Sequence, residues 1–270
     1  LVYSLRPEIK NKIHFAYCPE RVLPGNVLHE LVYNDRVIGG VDKVSTKKAI
    51  NFYKKFVKGN LHETDAKTAE MCKLVENSSR DVQIAFANEL SMICDKANIN
   101  VRELISLANK HPRVNILQPG CGVGGHCIAV DPYFIISDFK KESKIISDAR
   151  SINDYKSEWC IKKIKFYQSQ FKINQNRDAK IAVLGLSFKP NIDDLRESPA
   201  LYIARSIYSA SKSCVIVEPN ISFHEDFAIS DLKSALDSCD IIAVLVKHKE
   251  FEGLKMNQNQ ILIDFCGIND

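Results

Sequence analysis

The run Gly-Cys-Gly-Val-Gly-Gly-His-Cys-Ile-Ala-Val-Asp-Pro at 120–132 sets a thiol, Cys127, directly after a glycine-rich loop, with a carboxylate, Asp131, four residues further on. Glycines lack Cβ and take positive φ, so backbone amides at Gly124 and Gly125 can approach a bound substrate closely. A helix starting near Cys127 would lend its unpaired N–H groups and its dipole to a thiolate. Asp131 would then follow one turn along on the same face. Such a thiolate can add to an aldehyde, hold it as a thiohemiacetal through a second oxidation, and release the product by hydrolysis of a thioester. Two plainer readings stand beside this one. Free cysteine is among the most buried residue types, so Cys127 can be structural, and Asp131 can be a first-turn carboxylate that complements a helix dipole.

Other residues offer complementary chemistry. Lys73 and Asn77 stand four apart in a stretch without Gly or Pro, so a helix projects both from one face toward a common oxygen, or leaves both in solvent. Glu20, in Cys-Pro-Glu-Arg, can move protons through water or simply pair with Arg21. The planar fork of Arg113 suits a carboxylate or phosphate, or the carbonyls of its own loop. Lys189 and Arg196 lie in Gly-Leu-Ser-Phe-Lys-Pro-Asn-Ile-Asp-Asp-Leu-Arg-Glu-Ser at 185–198, after an apolar run, where a strand-to-helix loop meets a nucleotide. A surface lysine and an Arg–Asp pair are the alternatives there. Cys121, His126 and Cys127 are close together, but the paired Cys-x-x-Cys spacing of a zinc site is missing and no metal is expected.

These residues need elements to hold them. Strands are expected over 13–17 and 36–40, with Pro19, Pro24 and Gly25 marking an ordered loop between them. The absence of Gly and Pro from 65 to 97, with apolar residues at near-helical spacing, predicts one long helix, and a second covers 101–109, before Pro112. Short apolar runs at 180–185, 214–217, 241–246 and 261–264, separated by helical stretches, predict a buried parallel sheet in an α/β domain. The polar segment 174–178 is the candidate boundary before it.

Composition narrows the class. Among 270 residues, 45% are hydrophobic and 26% charged, which describes a globular chain able to bury a core. No uninterrupted apolar run is long enough for a bilayer, so no membrane segment or signal peptide is expected. A net charge of +4 is too small and dispersed to argue for nucleic acid, although a local basic pocket would suit an anionic ligand. Nine cysteines at irregular spacing fit free thiols and a cytoplasmic location better than a disulfide framework.

Four segments, at 17–25, 69–77, 120–132 and 185–198, resemble in type and order those of the UDP-glucose/GDP-mannose dehydrogenase family. The resemblance implies three regions: residues 1–62 from the end of an NAD-binding Rossmann domain, 63–168 as a central helical dimerisation and catalytic region, and 169–270 as a Rossmann-like UDP-binding domain. The first residue is Leu1, and the opening region has no Gly-x-Gly-x-x-Gly between a strand and a helix, so a family member truncated at the amino end is expected.

The resemblance further implies NAD as cofactor, a UDP-sugar as substrate and a homodimer or larger homo-oligomer. It makes Cys127 the nucleophile, Lys73 and Asn77 the oxyanion holders, and Asp131 and Glu20 the groups that handle water and protons. Arg113, Lys189, Gly124 and Gly125 become substrate contacts, and Arg196 a cofactor contact. Members acting on UDP-glucose usually carry Lys before the aspartate, whereas here the segment reads Cys-Ile-Ala-Val-Asp. That points to UDP-N-acetyl-D-mannosamine, with UDP-N-acetylglucosamine, differing only at C2, and UDP-glucose as alternatives. A non-catalytic UDP-sugar-binding or dimerising remnant is the reading from another class.

Overall fold

The computed structural model describes residues 2–9, 12–22, 26–211 and 213–268, and its contacts divide the chain into two units, Leu1–Asn77 and Ser78–Asp270. In the first unit α1 (Val2–Leu5) precedes β1 (Ala16–Tyr17), α2 (Val27–Tyr33), β2 (Arg36–Gly40), α3 (Lys43–Tyr53) and β3 (Leu61–Asp65). β2 is the central strand: β1 pairs with it antiparallel, Ala16 opposite Gly40, and β3 parallel, from Leu61 opposite Arg36 to Asp65 opposite Gly40. The expected strand at 36–40 is β2. The strand expected over 13–17 is formed only by its last two residues, an exposed edge. Pro24 and Gly25 lie outside the described residues.

Carboxylates start two of the helices here. Asp42 accepts from Ser45 N–H at 2.7 Å to cap α3, and the Asp65 carboxylate accepts from Lys67 and Thr68 N–H at 2.9 and 3.0 Å where α4 (Ala66–Ala97) begins. α4 is the long helix expected at 65–97, 32 residues without a break.

The second unit continues with α5 (Val101–Ala108), capped by Asn100, whose side chain accepts from Arg102 and Glu103 N–H. α6 (Asp131–Asp138) and α7 (Lys144–Gln175) follow, and α7 stops at Asn176, in the left-handed region at φ 52°. Asn tolerates that conformation, so the polar segment 174–178 turns the chain from α7 toward the sheet that follows.

β4 (Ile181–Leu184), α8 (Pro199–Ala210), β5 (Cys214–Val217), α9 (Leu232–Ser238), β6 (Ile241–Val244) and β7 (Ile261–Asp264) then form the predicted sheet, all parallel, in the order β5-β4-β6-β7. Alternate residues serve opposite faces. Ile181 and Val183 pack with Ile164 of α7 and Ile203 and Ile207 of α8, while Ala182 and Leu184 pack with Ala235 of α9 and Phe251. Each large aliphatic side chain buried this way is worth about 1.5–3 kcal/mol. The parallel direction brings all four carboxyl ends to one edge, where open α/β sheets hold ligands. Among the described residues, no helix is long and apolar enough to cross a membrane, and no three His, Cys, Asp or Glu side chains are grouped to share a metal ion.

Candidate functional site

At that edge lies a cavity of 850 Å³. Chain running on from the strands lines it: Ser187, Phe188, Lys189 and Pro190 beyond β4, Leu245, Val246 and Lys247 beyond β6, and Cys266 and Gly267 beyond β7. Residues 117–122, side chains of α4 and α5, and Pro199 and Ala200 at the start of α8 add the remaining wall. Among the described residues the charge is of one sign, since Arg80, Arg102, Lys189 and Lys247 line the cavity and no described Asp or Glu does. A concave surface with cations alone concentrates field and favours an anion. The turn out of β4 depends on Gly185, at φ +94°, where a Cβ would stand 2.6 Å from that of Val246. Only glycine allows this approach.

The Cys127 segment differs from expectation in one respect. The helix starts at Asp131, not near Cys127, because Pro132 occupies its first turn, where a missing N–H costs nothing. Cys127 sits in the turn before it, half-buried, and its carbonyl accepts from Val130 and Asp131 N–H at 3.0 and 2.8 Å. The turn ties the thiol residue to Asp131, but the thiol is not inside the first helical turn.

The glycines here make room for protein. A Cβ on Gly124 would stand 2.5 Å from the Glu197 carbonyl, and one on Gly125, at φ +83°, 2.9 Å from the Phe188 ring. Gly125 N–H donates to the Arg196 carbonyl at 3.1 Å. The 120–130 loop is therefore fastened to the loop carrying Lys189 and Arg196.

Arg196 forms the Arg–Asp pair named as one alternative, with Nε 2.9 Å from Asp194 Oδ1 and Nη2 2.6 Å from Oδ2. The hydrogen bonds from Arg196 hold the Asp194 carboxyl down to about 2, with a smaller contribution from His126. The same pairing raises Arg196, with a smaller contribution from Cys127. Arg113 is exposed in the loop after α5 and lines no described cavity.

Glu20, Lys73 and Asn77 belong to the first unit. Glu20 is exposed and accepts from the buried Arg36 guanidinium at 3.3 Å and from Arg21 N–H at 2.8 Å. The expected side-chain pair of Glu20 with Arg21 is replaced by Arg21 with Glu76, 2.8 Å apart. That contact ties the 18–22 loop to the turn of α4 that carries Lys73 and Asn77, both half-buried.

Sequence reasoning missed Arg80, Arg102 and Lys247 as site residues. Lys247 could have been found, since it directly follows an apolar run at the ligand-bearing end of a parallel strand. Arg80 and Arg102 carried no such signal, because they reach the cavity only through the packing of α4 and α5.

Three family models match in chain order: the NAD binding domain at residues 3–57, the central domain at 67–155 and the UDP binding domain at 182–270, all of the UDP-glucose/GDP-mannose dehydrogenase family. A UDP-N-acetyl-D-mannosamine dehydrogenase of Campylobacter jejuni is 54% identical over 262 residues, covering 94% of this chain and 62% of the relative. An NDP-N-acetyl-D-galactosaminuronic acid dehydrogenase of Ralstonia solanacearum is 49% identical, covering 96% and 62%. The chain thus spans about three-fifths of the length of these curated relatives. Among solved structures, the UDP-N-acetyl-mannosamine dehydrogenase Cap5O from S. aureus superposes with a TM-score of 0.80 at 38% identity, covering 98% of this chain and 68% of that one.

Proposed function

The chain belongs to the UDP-glucose/GDP-mannose dehydrogenase family, and on that premise we propose that it serves the NAD-dependent, four-electron oxidation of UDP-N-acetyl-D-mannosamine to UDP-N-acetyl-D-mannosaminuronate. The observation that carries the reading is the 850 Å³ cavity at the strand ends, with four cations and no carboxylate among the described residues of its wall. A nucleoside diphosphate supplies the complementary charge, and Leu117, Phe188 and Pro190 supply apolar surface for a base. The choice of sugar rests on the relatives named for N-acetylmannosamine and on the Val-Asp-Pro ending of the cysteine segment.

NAD, when bound, supplies the acceptor for the two hydrides. Toward it the residues fit in part. Arg196, exposed and held by Asp194, offers a cation suited to a pyrophosphate. The run at 120–125 spells Gly-x-Gly-x-x-Gly, but no strand leads into it, and its glycines are packed against Phe188, Glu197 and the Arg196 carbonyl, so it is no dinucleotide turn.

Lys73 and Asn77 present an ammonium and an amide donor from one face of α4 to the sugar C6 oxygen as it gains charge. Once C6 is an aldehyde, the Cys127 thiolate adds to it, the new alkoxide takes a proton, and a thiohemiacetal results. Loss of the second hydride leaves a thioester. Water then adds at C6, the C–S bond breaks, and the thiolate departs from the carboxylate. Asp131 and Glu20 orient that water and accept its protons. One alcohol and one water thus yield one carboxylate, two hydrides and three protons. Arg113 and Lys189 hold the substrate in this reading, Arg113 from a neighbouring copy in a homo-oligomer, while Gly124 and Gly125 let the 120–130 loop pack against the loop that carries Lys189. The regions 1–62, 63–168 and 169–270 and a cytoplasmic location complete the proposal.

Calorimetric titration with UDP-N-acetylmannosamine, UDP-N-acetylglucosamine, UDP-glucose and UDP tests it, and the mannosamine nucleotide is expected to bind most tightly. UDP binding without sugar discrimination would overturn the sugar assignment alone. Absence of all binding to the folded chain would overturn the nucleotide site as well. The Ralstonia relative favours a second reading, another N-acetylated hexose, which a UDP-N-acetylgalactosamine arm of the same titration decides.

A further inference from the structure

Just beyond β4, β5 and β6 lies a buried polar cluster that the chemistry above does not use. Ser187 and His248 are 0% exposed, and Glu218 is 2% exposed. The hydrogen bonds settle which histidine nitrogen carries the proton. Asn191 N–H donates to His248 Nδ1 at 2.9 Å, and the Asn220 side-chain amide stands 3.0 Å from the same nitrogen. A ring nitrogen that accepts carries no proton, so the proton sits on Nε2, which lies 3.1 Å from Glu218 Oε2 and 3.3 Å from Ser187 Oγ.

Glu218 has further donors. Its Oε2 also accepts from Leu186 and Ser187 N–H at 2.7 and 3.2 Å, and its Oε1 from Asn220 N–H and Nδ2, both at 3.0 Å. Burial alone would raise this carboxyl, but the hydrogen bonds from His248 and the backbone bring it down to about 2.

Lys189 runs between these anchors. On one side, Ser187 Oγ donates to the Lys189 carbonyl at 2.8 Å. On the other, Asn191 is held at φ +61°, in the left-handed region, by its N–H on His248 and by its Oδ1, which accepts from Lys249 N–H at 2.9 Å. Asn tolerates that region, and these two hydrogen bonds hold it there. The backbone is therefore pinned two residues before and two residues after Lys189, whose side chain is exposed and lines the 850 Å³ cavity.

We infer that Glu218 and His248 are positioning residues that aim Lys189 at the diphosphate of a nucleotide in that cavity, an inference that rests on the nucleotide reading proposed above. If the cluster merely held the sheet edge together, its loss would lower stability and weaken every ligand alike. If it aims Lys189, its loss weakens ligands with phosphates and spares those without.

The experiment is calorimetric titration with UDP and with uridine, on the unaltered chain and on Lys189→Ala, His248→Leu, His248→Asn and the double variant His248→Leu/Lys189→Ala. Loss of one charge-assisted contact predicts UDP binding weaker by about tenfold in Lys189→Ala, with uridine unchanged. His248→Leu is expected to weaken UDP by roughly fivefold, leave uridine unchanged and add nothing further in the Lys189→Ala background. His248→Asn, which keeps an acceptor for Asn191 N–H, recovers most of the loss. Should His248→Leu not fold, Asn191→Gly makes the same comparison. It removes only the link to Lys249 and the constraint on φ, and predicts about a twofold loss for UDP alone.

The positioning role is overturned if these variants bind UDP as the unaltered chain does, if UDP and uridine weaken together, or if the two losses add in full. A chain that does not bind UDP at all, or that ignores Lys189→Ala, overturns the cavity reading and the positioning role with it. UDP binding that depends on Lys189 but not on His248 overturns the positioning role alone.

Discussion

β4 and β6 are buried at every residue, whereas both residues of β1 are exposed and β3 has no buried residue. The two sheets are consequently held by different forces. Around β4 and β6 apolar surface packs on both faces, so the strand ends form a fixed edge on which cations can be mounted. The sheet of the first unit has a buried central strand, β2, but its edges are tied by polar contacts. Asp35 accepts from Asn60 N–H at 2.7 Å and lies 3.0 Å from His62, Glu20 reaches Arg36, and Arg21 reaches Glu76. Apolar burial carries no charge to screen or titrate, while exposed charge pairs are screened and titrate. The two units should therefore fail under different conditions.

The largest predicted loss lies in the second unit. Arg150 contacts Asp81 at 2.7 Å with both side chains buried, so Arg150→Ala leaves a carboxylate without its cation and should lower stability by about 3–5 kcal/mol. Urea unfolding followed by circular dichroism measures it. Ile242→Ala, at a fully buried position of β6, should cost about 2–5 kcal/mol in the same melt, insensitive to salt.

Acid comes next. Glu218 is depressed from 4.5 to about 2 and Asp35 from 3.8 to about 2. A carboxyl depressed in the folded state adds stability that is full above its unfolded pKa and lost as pH falls through the folded one. Stability should thus decline between roughly pH 4.5 and pH 2, with Glu218 accounting for roughly 3 kcal/mol of it. The Asp35 share, at an exposed site, should shrink in 1 M salt, and the Glu218 share should not. The smallest effect is that of Arg21→Ala, which removes an ion pair whose partners are 36% and 39% exposed and should cost about 1 kcal/mol or less, vanishing at high salt. A loss from Arg21→Ala as large as that from Ile242→Ala would remove the contrast between the units.

The same contrast governs what could be read from the sequence. β4 and β6 announce themselves as apolar runs because burial on both faces requires it, and the uninterrupted α4 is legible from its missing Gly and Pro. β3, Leu-His-Glu-Thr-Asp, has no apolar alternation to read. The helix expected near Cys127 failed because spacing places two residues on a common face without fixing where the first turn begins, and Pro132 fixes it at Asp131. Lys189 was legible from its place after a strand. The pairing of Arg21 with Glu76, across 55 residues, and the arrival of Arg80 and Arg102 at the cavity depend on tertiary packing, which periodicity does not encode.

The central claim is that the cavity beyond β4, β6 and β7 holds a nucleoside diphosphate, and a crystal structure of the chain with UDP tests it most directly. The predicted result is UDP density in that cavity, with the diphosphate among Arg102, Lys189 and Lys247. UDP seated instead in the cleft of 640 Å³ lined by Arg150, Tyr202 and Arg205, with the strand-end cavity empty, would contradict it.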